Sequence, residues 1–359
     1  MINSGNSNAN LSVNLTALEN NYFTLIKELP SAELAAVVKA NAYGLGVEEI
    51  ATLLSRLGCM KFFVATLEEG IELRQILPNA KIFIFHGSPA GAEDELVANS
   101  LIPVLNSIEQ IENWQPHSKY AAALHIDTGM SRLGLSPTEC TRIGYLRSFN
   151  IELTMSHLSC AENKKHPKNI EQITLFKELL KLLPTKQASL AASSGIFLGP
   201  SYHFDLCRSG VALYGINPTP FTSNPLEQVI RLQAKIIQIR SVDTPQTVGY
   251  GASHEIKGPT KIATIAMGYA DGYMRSLGNS GIAYIDNYQV PVVGRISMDL
   301  TMVDVSSVPD HMISSKTMVD LIGPNNPIDQ VAKQANTISY ELLSGLGSRV
   351  NRQYKLENK

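Results

Sequence analysis

The 359-residue sequence is poor in cysteine and in charged residues, and it contains no long apolar run. Its four cysteines, Cys59, Cys140, Cys160 and Cys207, are far apart and form no CxxC pair. This scatter argues against a disulfide scaffold and a zinc ribbon, and it makes a reducing cytoplasm the expected compartment. No apolar run reaches roughly 18 residues, the length that a membrane-spanning helix needs. The start, MINSGNSNAN, lacks the basic and apolar regions of a signal peptide, so we expect a frayed tail there.

An excess of charge of one sign is also missing. Lys and Arg number 30 against 32 Asp and Glu, a net charge of −2, which gives no support to a nucleic-acid-binding surface. Hydrophobic residues make up 44% of the chain, which supplies a buried core and excludes a disordered protein. A chain of this length suits one large barrel with an appended module, or two domains.

Short apolar runs alternate with amphipathic stretches through the first two thirds of the chain. The amphipathic stretches, such as 47–57, 67–77 and 170–183, have apolar residues at spacings of three and four. The predicted strands are Leu34–Val38, Phe62–Ala65, Lys81–Phe85, Leu101–Leu105, Ala121–Ile126, Ile151–His157, Ala188–Ala192 and Asp205–Arg208. Eight strands separated by helices indicate a (β/α)₈ TIM-type barrel of parallel strands. A doubly wound open sheet is the alternative, although no glycine-rich turn follows the first strand.

The pattern changes after 213–228, a segment rich in Pro, Asn and Ser that is typical of a linker. The runs beyond it alternate or are β-branched and lie close together, which predicts a mainly antiparallel β module. Two late segments, 328–336 and 339–346, are predicted short helices. We therefore expect a barrel domain over 1–225 and a mainly β C-terminal domain over 226–359.

Lys39 stands at the end of the first predicted strand, where barrels build their active sites. Partial burial there would lower the pKa of the lysine and favour the neutral amine that forms a Schiff base. A solvated lysine just past a strand end is the alternative, and position alone does not separate the two. Tyr43 follows four residues later, and Gly44 and Gly46 permit a tight turn that would bring its hydroxyl to the same rim.

The segment VVKANAYGLG around Lys39 closely resembles the pyridoxal-phosphate lysine motif of alanine racemases. The resemblance continues in the family's order from about residue 11 to 354. The matching segments are HIDTGMSRLG (125–134), HLSCAEN (157–163), SLAASSGIF (189–197), HFDLCRSGVALYG (203–215), VGYGASH (248–254), GYADGY (268–273), GRISMDLTMVD (294–304) and TISYELLSGLGSRVNRQY (337–354). The resemblance implies the same barrel and β domain, pyridoxal 5'-phosphate as cofactor, and interconversion of L- and D-alanine to supply peptidoglycan synthesis.

The resemblance also implies a role for each matching residue, with no metal site among them. Lys39 and Tyr250 would be catalytic, and Tyr250 would enter from the partner subunit of a homodimer with shared active sites. The cofactor-binding residues would be Lys39, Tyr43, His157, Ser193, Arg208, Gly210, Val211 and Tyr340. The substrate-binding residues would be Arg132, Met298, Tyr269 and Asp299.

Racemisation needs two acid/base groups on opposite faces of the planar substrate imine, and Lys39 and Tyr250 would fill these roles. A neutral phenol is a poor base, so a neighbouring positive charge or donor would have to favour its phenoxide. In isolation, Tyr250 is more simply interpreted as a half-buried strand aromatic.

Arg208 would face the pyridine nitrogen of the cofactor. Because a guanidinium stays charged, it would leave that nitrogen unprotonated and weaken delocalisation of the substrate carbanion into the ring. A surface arginine paired with Asp205 is the alternative. His157 would orient Arg208 or a cofactor oxygen, and a satisfied strand-end histidine is the alternative there.

The phosphate would lie against Ser193 and the backbone N–H groups of Gly210 and Val211, which are expected to open a helix. Tyr43 and Tyr340 would add hydroxyl donors. These loops follow the seventh and eighth predicted strands, where barrels commonly bind phosphate.

Arg132 would bind the substrate carboxylate with its planar fork, together with the backbone N–H of Met298. The chain departs from the family beside this residue, because His125 stands where many members have a lysine, so how Arg132 is oriented stays open. Two further departures are Ala192 and Ser297, where relatives have asparagine and cysteine.

Three other functions remain open from the sequence. They are a broad-specificity racemase for serine, lysine or arginine, a basic amino-acid decarboxylase, and a non-catalytic pyridoxal-phosphate carrier. Arg208 argues against the decarboxylase, and the second domain argues against the carrier.

Overall fold

The computed structural model describes residues 7–143 and 148–356, and the chain divides into two compact units. The barrel unit is Leu18–Glu227, and the β unit joins the chain up to Ala17 with the chain from Gln228 onward. The first strand, β1 (Ala9–Asn14), therefore belongs to the β unit. Along the described part of the chain, we find no helix that combines the length and apolarity needed to cross a membrane.

The barrel unit contains all eight predicted strands, and every pairing between them is parallel. They are β2 (Glu33–Val37), β3 (Lys61–Val64), β4 (Lys81–Ile84), β5 (Leu101–Leu105), β6 (Ala121–His125), β7 (Asn150–Met155), β8 (Gln187–Ser189) and β9 (Leu206–Ser209). From β2 to β8 each strand pairs with the next, and β9 pairs with β2. The backbone N–H of Arg208 donates to the carbonyl of Ala191 at 3.0 Å and brings β9 to the end of β8. The sheet is thus a nearly closed barrel, which excludes the doubly wound alternative.

Helices follow the strands of the barrel as the amphipathic pattern predicts. They are α1 (Leu15–Lys27), α2 (Lys39–Tyr43), α3 (Val47–Arg56), α4 (Leu67–Ile76), α5 (Glu93–Ala98), α6 (Ile108–Trp114), α7 (Pro137–Cys140), α8 (Lys168–Leu180) and α9 (Ser193–Ile196). In α3 the buried side chains of Val47, Ile50, Ala51 and Leu54 share one face of the helix. Helix α4 begins at a capping box in which Thr66 and Glu69 satisfy each other's backbone N–H groups.

Apolar side chains fill the inside of the barrel. Phe63 on β3 and Phe83 on β4 stack with ring centroids 4.5 Å apart and an interplanar angle of 11°. Small and β-branched residues from the other strands, including Ala35, Val104 and Ala123, complete this cluster. Burying each large side chain stabilises the fold by about 1.5–3 kcal/mol. Because these side chains fill the interior, we expect the site at the rim of the barrel.

Charged side chains occupy the end of the barrel where the strands begin. Lys61 at the start of β3 is 8% exposed, and its Nζ donates to Glu33 at 2.6 Å and to Gln187 at 2.7 Å. Glu152 beside them accepts from Lys81 at 2.8 Å and from Lys186 at 2.6 Å. The charged groups at this end are paired with one another. We therefore look for the active site at the opposite end, where the strands finish.

The β unit is built on the long strand β10, which pairs with β1 and with two later strands. Its elements are β10 (Ile230–Val242), β11 (Gln246–Val248), β12 (His254–Ile256), β13 (Thr260–Ile265), β14 (Ile282–Ile285), β15 (Tyr288–Pro291), β16 (Thr301–Asp304), β17 (Met318–Ile322), α10 (Ile328–Gln334), α11 (Ser339–Ser344) and β18 (Asn351–Lys355). The pairings described are antiparallel, except that β1 runs parallel to β18. The prediction of a mainly antiparallel domain is confirmed.

One prediction about the N-terminus is wrong. Residues 1–6 of the expected frayed tail lie outside the described residues, but Ala9 and Asn10 are already part of β1. Asn10 pairs with Gln233 on β10 and with Asn351 on β18. Leu11 and Val13 in the same strand are fully buried, which anchors β1 in the β unit.

Candidate active site

Lys39 lies two residues after the end of β2 and is partly buried at the rim of the barrel. Its Nζ lies 5.8 Å from the ring centroid of Phe85. Burial lowers the pKa of Lys39 below its ordinary value, the positive charge of Arg132 lowers it further, and Glu69 partly opposes them. The site therefore favours the neutral amine, in contrast to a solvated lysine.

The four residues after Lys39 form a left-handed turn. Ala40, Asn41, Ala42 and Tyr43 have φ angles of 52°, 53°, 51° and 57°, a conformation that costs roughly 1–2 kcal/mol per residue.

Two side-chain hydrogen bonds hold the turn in place, one from a residue outside it and one from Asn41 within it. Glu69 accepts from the N–H of Ala40 at 2.7 Å, and the side chain of Asn41 accepts from the N–H of Val47 at 2.7 Å. The turn fixes the backbone on which Lys39 is carried.

Arg208 on β9 is 2% exposed, and its guanidinium donates to neutral acceptors. One terminal nitrogen donates to the carbonyl of Ser189 at 3.0 Å and to its hydroxyl at 2.5 Å, and the other donates to the carbonyl of Ser156 at 2.6 Å. Among the residues described, none of the ion pairs includes Arg208. Burial lowers its pKa to about 10. Asp205 instead accepts from the N–H of Ala188. The alternative of a surface pair between Arg208 and Asp205 is therefore wrong.

Two neutral histidines lie on the same rim. Nδ1 of His157 is 3.5 Å from a terminal nitrogen of Arg208, which has only hydrogens to donate, so Nδ1 accepts and Nε2 carries the proton. Burial, then the charges of Arg208 and Arg132, lower the pKa of His157 to about 3. Burial and the same two arginines lower the pKa of His125 to about 4.

Asn106, directly after β5, places the proton of His125 on Nδ1, whereas the proton of His157 is on Nε2. The amide nitrogen of Asn106 donates to the carbonyls of Phe85 at 2.9 Å and Val104 at 2.7 Å, so its oxygen faces His125. Nδ1 of His125 lies 2.8 Å from that oxygen and must donate to it. The sequence analysis missed Asn106, whose signal was an amide residue immediately after a buried strand.

Arg132 is exposed on the loop 126–135. The two ends of this loop pair with each other, and its backbone N–H groups donate to the carboxylate of Asp127. Ile126 and Leu135 pair at the base of this loop. Asp127 accepts from the N–H groups of Gly129 and Met130, each at 2.8 Å. Burial raises the pKa of Asp127, but these backbone donors outweigh it and hold the pKa below its ordinary value. The sequence analysis missed Asp127, although an Asp two residues before a Gly is a turn signal.

Ser193, Gly210 and Tyr43 meet beside the start of α9. The hydroxyl of Ser193 accepts from the N–H of Gly210 at 3.1 Å and from the N–H of Ala212 at 3.2 Å. A Cβ at Gly210 would lie 2.5 Å from the hydroxyl oxygen of Tyr43, so a larger residue there would have to displace the Tyr43 side chain. The expected helix at Gly210 and Val211 is wrong, because this stretch consists of successive tight turns.

The remaining candidates are exposed side chains of the β unit. Tyr250 is 72% exposed and lies in a turn between β11 and β12, so it is no half-buried strand aromatic. Met298, Tyr269 and Tyr340 are exposed as well. The carboxylate of Asp299 accepts from Arg349 at 2.8 Å, a contact that the sequence did not indicate. Their assignment to the site stays a prediction.

The whole chain is similar to alanine racemases. Family models describe two domains of that enzyme, the N-terminal domain matching residues 13–218 and the C-terminal domain matching 229–354. An alanine racemase of Rhodospirillum rubrum is 47% identical over 96% of this chain and 95% of its own length. A biosynthetic alanine racemase of Agrobacterium fabrum is 43% identical over 96% of this chain and 93% of its own length.

A solved structure shows the same likeness in three dimensions. The crystal structure of the alanine racemase of Bartonella henselae, which has covalently bound pyridoxal phosphate, superposes with a TM-score of 0.93. It is 40% identical in sequence, and the match covers 97% of this chain and 100% of the other. The similarity therefore runs through both units.

Proposed function

The chain belongs to the alanine racemase family, and from this premise we propose that it interconverts L- and D-alanine with pyridoxal phosphate by a two-base mechanism. The observation that carries the proposal is the buried Arg208, whose contacts are all neutral, on the same rim as Lys39. A cation held without a counterion suits a partner with a free electron pair, such as an unprotonated pyridine nitrogen.

The residues of the barrel rim fit this cofactor. Burial, the first cause of the lowered pKa of Lys39, favours the neutral form of the amine that would hold the cofactor aldehyde. Ser193, Tyr43 and Gly210 form a cradle that a Cβ would fill, and we assign it to the phosphate together with Val211 and Tyr340. His157 carries its proton on Nε2 and would donate it to a polar atom of the ring. The cofactor, when bound, supplies the electron sink that makes the α-hydrogen of an amino acid acidic.

Two groups would move the proton. Nζ of Lys39 would take or return it on one face of the substrate, a role that its lowered pKa favours. The hydroxyl of Tyr250 would do so on the other face. We propose that this tyrosine comes from the partner subunit of a homodimer, which accords with its 72% exposure in the single chain.

Arg132 would bind the substrate carboxylate through its guanidinium fork, with the backbone N–H of Met298 as a second donor. The closed loop around Asp127 limits the positions that Arg132 can take. Tyr269 and Asp299 would complete the substrate-binding side of the β unit. We propose D-alanine for peptidoglycan as the product's use, in line with the biosynthetic relative.

The test is racemisation of L-alanine, L-serine and L-lysine, measured side by side as exchange of the α-hydrogen in deuterated water by the purified holoenzyme. Rapid exchange of alanine alone supports the proposal, whereas similar rates on several substrates would favour a broad-specificity racemase. Borohydride reduction followed by peptide mass spectrometry should place the cofactor on Lys39. Labelling of Lys39 without any exchange would point to a non-catalytic carrier.

The biological role has its own test. Expression of this chain in a bacterium that requires added D-alanine should restore growth and cell-wall synthesis without it. Growth that is restored only on L-alanine as the carbon source would assign the enzyme to alanine breakdown.

A further inference from the structure

Three segments of the β unit meet at the guanidinium of Arg349. Its Nε donates to Asp271 at 2.7 Å, and a terminal nitrogen donates to Asp299 at 2.8 Å. Asp271 lies in the segment 268–273, here called the Tyr269 loop, and Asp299 lies in 297–300, the Met298 loop. One side chain thus ties both loops to the segment that follows α11.

The two loops also contact each other through their backbones. The N–H of Tyr269 donates to the carbonyl of Ser297 at 3.1 Å, and the N–H of Ala270 donates to the carbonyl of Met298 at 3.0 Å. A Cβ at Gly268 would lie 2.4 Å from both of these carbonyl oxygens, so the contact requires glycine. The positions of Tyr269 and Met298 are therefore coupled.

Asp271 makes this arrangement depend on Arg349. Its side chain is 8% exposed, and its second oxygen accepts from the N–H of Gly268 at 2.9 Å. A carboxylate buried to this degree is costly without a cation, and Arg349 supplies one. Arg349 also donates to the carboxylate of Asp299, a residue that the family resemblance assigned to substrate binding.

We propose that Arg349 is a positioning residue for alanine racemisation: it holds the Tyr269 and Met298 loops together, and Asp299 acts through it. The inference rests on the proposed function, in which Tyr269 and the N–H of Met298 contact the substrate. Loops released from Arg349 would bind the small substrate less well and discriminate less against larger ones. Substrate binding and selectivity should change more than turnover of bound substrate.

The test compares Arg349→Met and the milder Asp299→Asn with a matched control, Arg231→Met. Arg231 makes two bonds of 2.8 Å to Asp320, a pair in the same unit that touches neither loop. The two pairs have similar environments, since the arginines are 52% and 46% exposed and both aspartates are 8% exposed. Any general loss of stability should therefore appear in the control as well.

Hydrogen exchange reports the positions of the loops without any assay of activity. In Arg349→Met the amides of Tyr269 and Ala270 should exchange about tenfold faster, as expected for loss of hydrogen bonds to a charged group. Arg231→Met should leave these two amides protected as in the unaltered enzyme. Equal protection in all variants would overturn the proposal.

Kinetics report the catalytic consequence. Arg349→Met and Asp299→Asn should raise KM for alanine about five- to tenfold with kcat nearly unchanged, and lower the alanine-to-serine ratio of kcat/KM. Loss of kcat for both substrates in proportion would indicate a merely structural role and overturn the proposal.

The proposed function and the role of Arg349 can fail separately. An unaltered enzyme that racemises nothing would overturn the function and with it the catalytic role of Arg349, while exchange would still decide whether Arg349 holds the loops. An active enzyme whose Arg349 variants behave normally would overturn only the role of Arg349.

Discussion

The side-chain oxygen of Asn106 lies 2.8 Å from Nδ1 of His125, and the amide nitrogen of Asn106 is occupied by two backbone carbonyls. An uncharged amide thereby holds an uncharged histidine beside the arginines of the rim. His157 is neutral as well, but it accepts from Arg208 through the same ring atom with which His125 donates. The rim thus carries its positive charges on Arg208 and Arg132 and keeps its histidines neutral.

The stability of the protein should fall as the pH drops below about 6.5, the ordinary histidine value. Because the pKa of His125 is about 4 and that of His157 about 3 in the folded chain, the unfolded chain binds protons first as the pH falls. Each depressed histidine can cost up to about 3 kcal/mol by pH 4. Urea unfolding from pH 7.5 to 4.5 measures this, and His125→Gln should flatten the dependence. A flat profile in the unaltered protein would contradict the assignment.

Tyr250→Phe should remove proton exchange on one face only. The side chain is 72% exposed in the single chain, so stability should change by less than about 0.5 kcal/mol. Loss of an acid/base group should lower racemisation by about 100-fold or more. Exchange of the α-hydrogen, measured separately from L- and D-alanine, should persist for one enantiomer. Undiminished activity from both would rule out the two-base assignment.

Arg208→Glu should change the fate of the substrate and not only its rate. A carboxylate can keep the ring nitrogen of the cofactor protonated, which would prolong the carbanion. We expect a new long-wavelength absorption band and an increase in the keto-acid product of transamination. Arg208→Lys, which retains a positive charge, is the control and should show neither.

Gly210→Ala should weaken cofactor binding. The added Cβ would lie 2.5 Å from the hydroxyl oxygen of Tyr43, and the ring of Tyr43 is packed against Tyr214 at 5.0 Å between centroids. Displacement of Tyr43 should raise the Kd for pyridoxal phosphate about tenfold, the loss of a hydrogen bond to a charged group. Gly258→Ala is the matched control, because its Cβ would meet no atom within 4 Å. Fluorescence titration of the apoenzyme with cofactor measures both.

The ion pair between Lys61 and Glu33 lies at the end of the barrel where the strands begin. The loss of one partner should change the stability of the protein more than the loss of the other. Glu33→Gln would leave the buried ammonium of Lys61 without its counterion and should destabilise the fold by about 1–3 kcal/mol. Lys61→Met should be close to neutral, since the half-exposed Glu33 can be hydrated. Urea unfolding of both variants separates the effects, and racemisation should be normal in each. A larger cost for Lys61→Met would contradict this account.

The sequence predicts the eight strands and the place of Lys39 because both depend on local apolar periodicity. It does not predict β1, because Asn10 finds its partners at Gln233 and Asn351, far along the chain. It also misses Asn106 and Asp127, because an amide after a strand and an Asp before a Gly are signals too common to single out a site residue. The error at Gly210 is a matter of local geometry, since the chain there forms successive tight turns in which the N–H of Leu213 donates to the carbonyl of Gly210 and the N–H of Tyr214 donates to that of Val211.

The position of β1 has a consequence for synthesis on the ribosome. This strand is translated before both strands that cover its edges, β10 on one side and β18 on the other, and Asn351 of β18 is 341 positions from Asn10. Until β18 has been synthesised, β1 exposes a strand edge that can pair with other chains. The nascent chain must therefore keep β1 from pairing with other chains until β18 has been made.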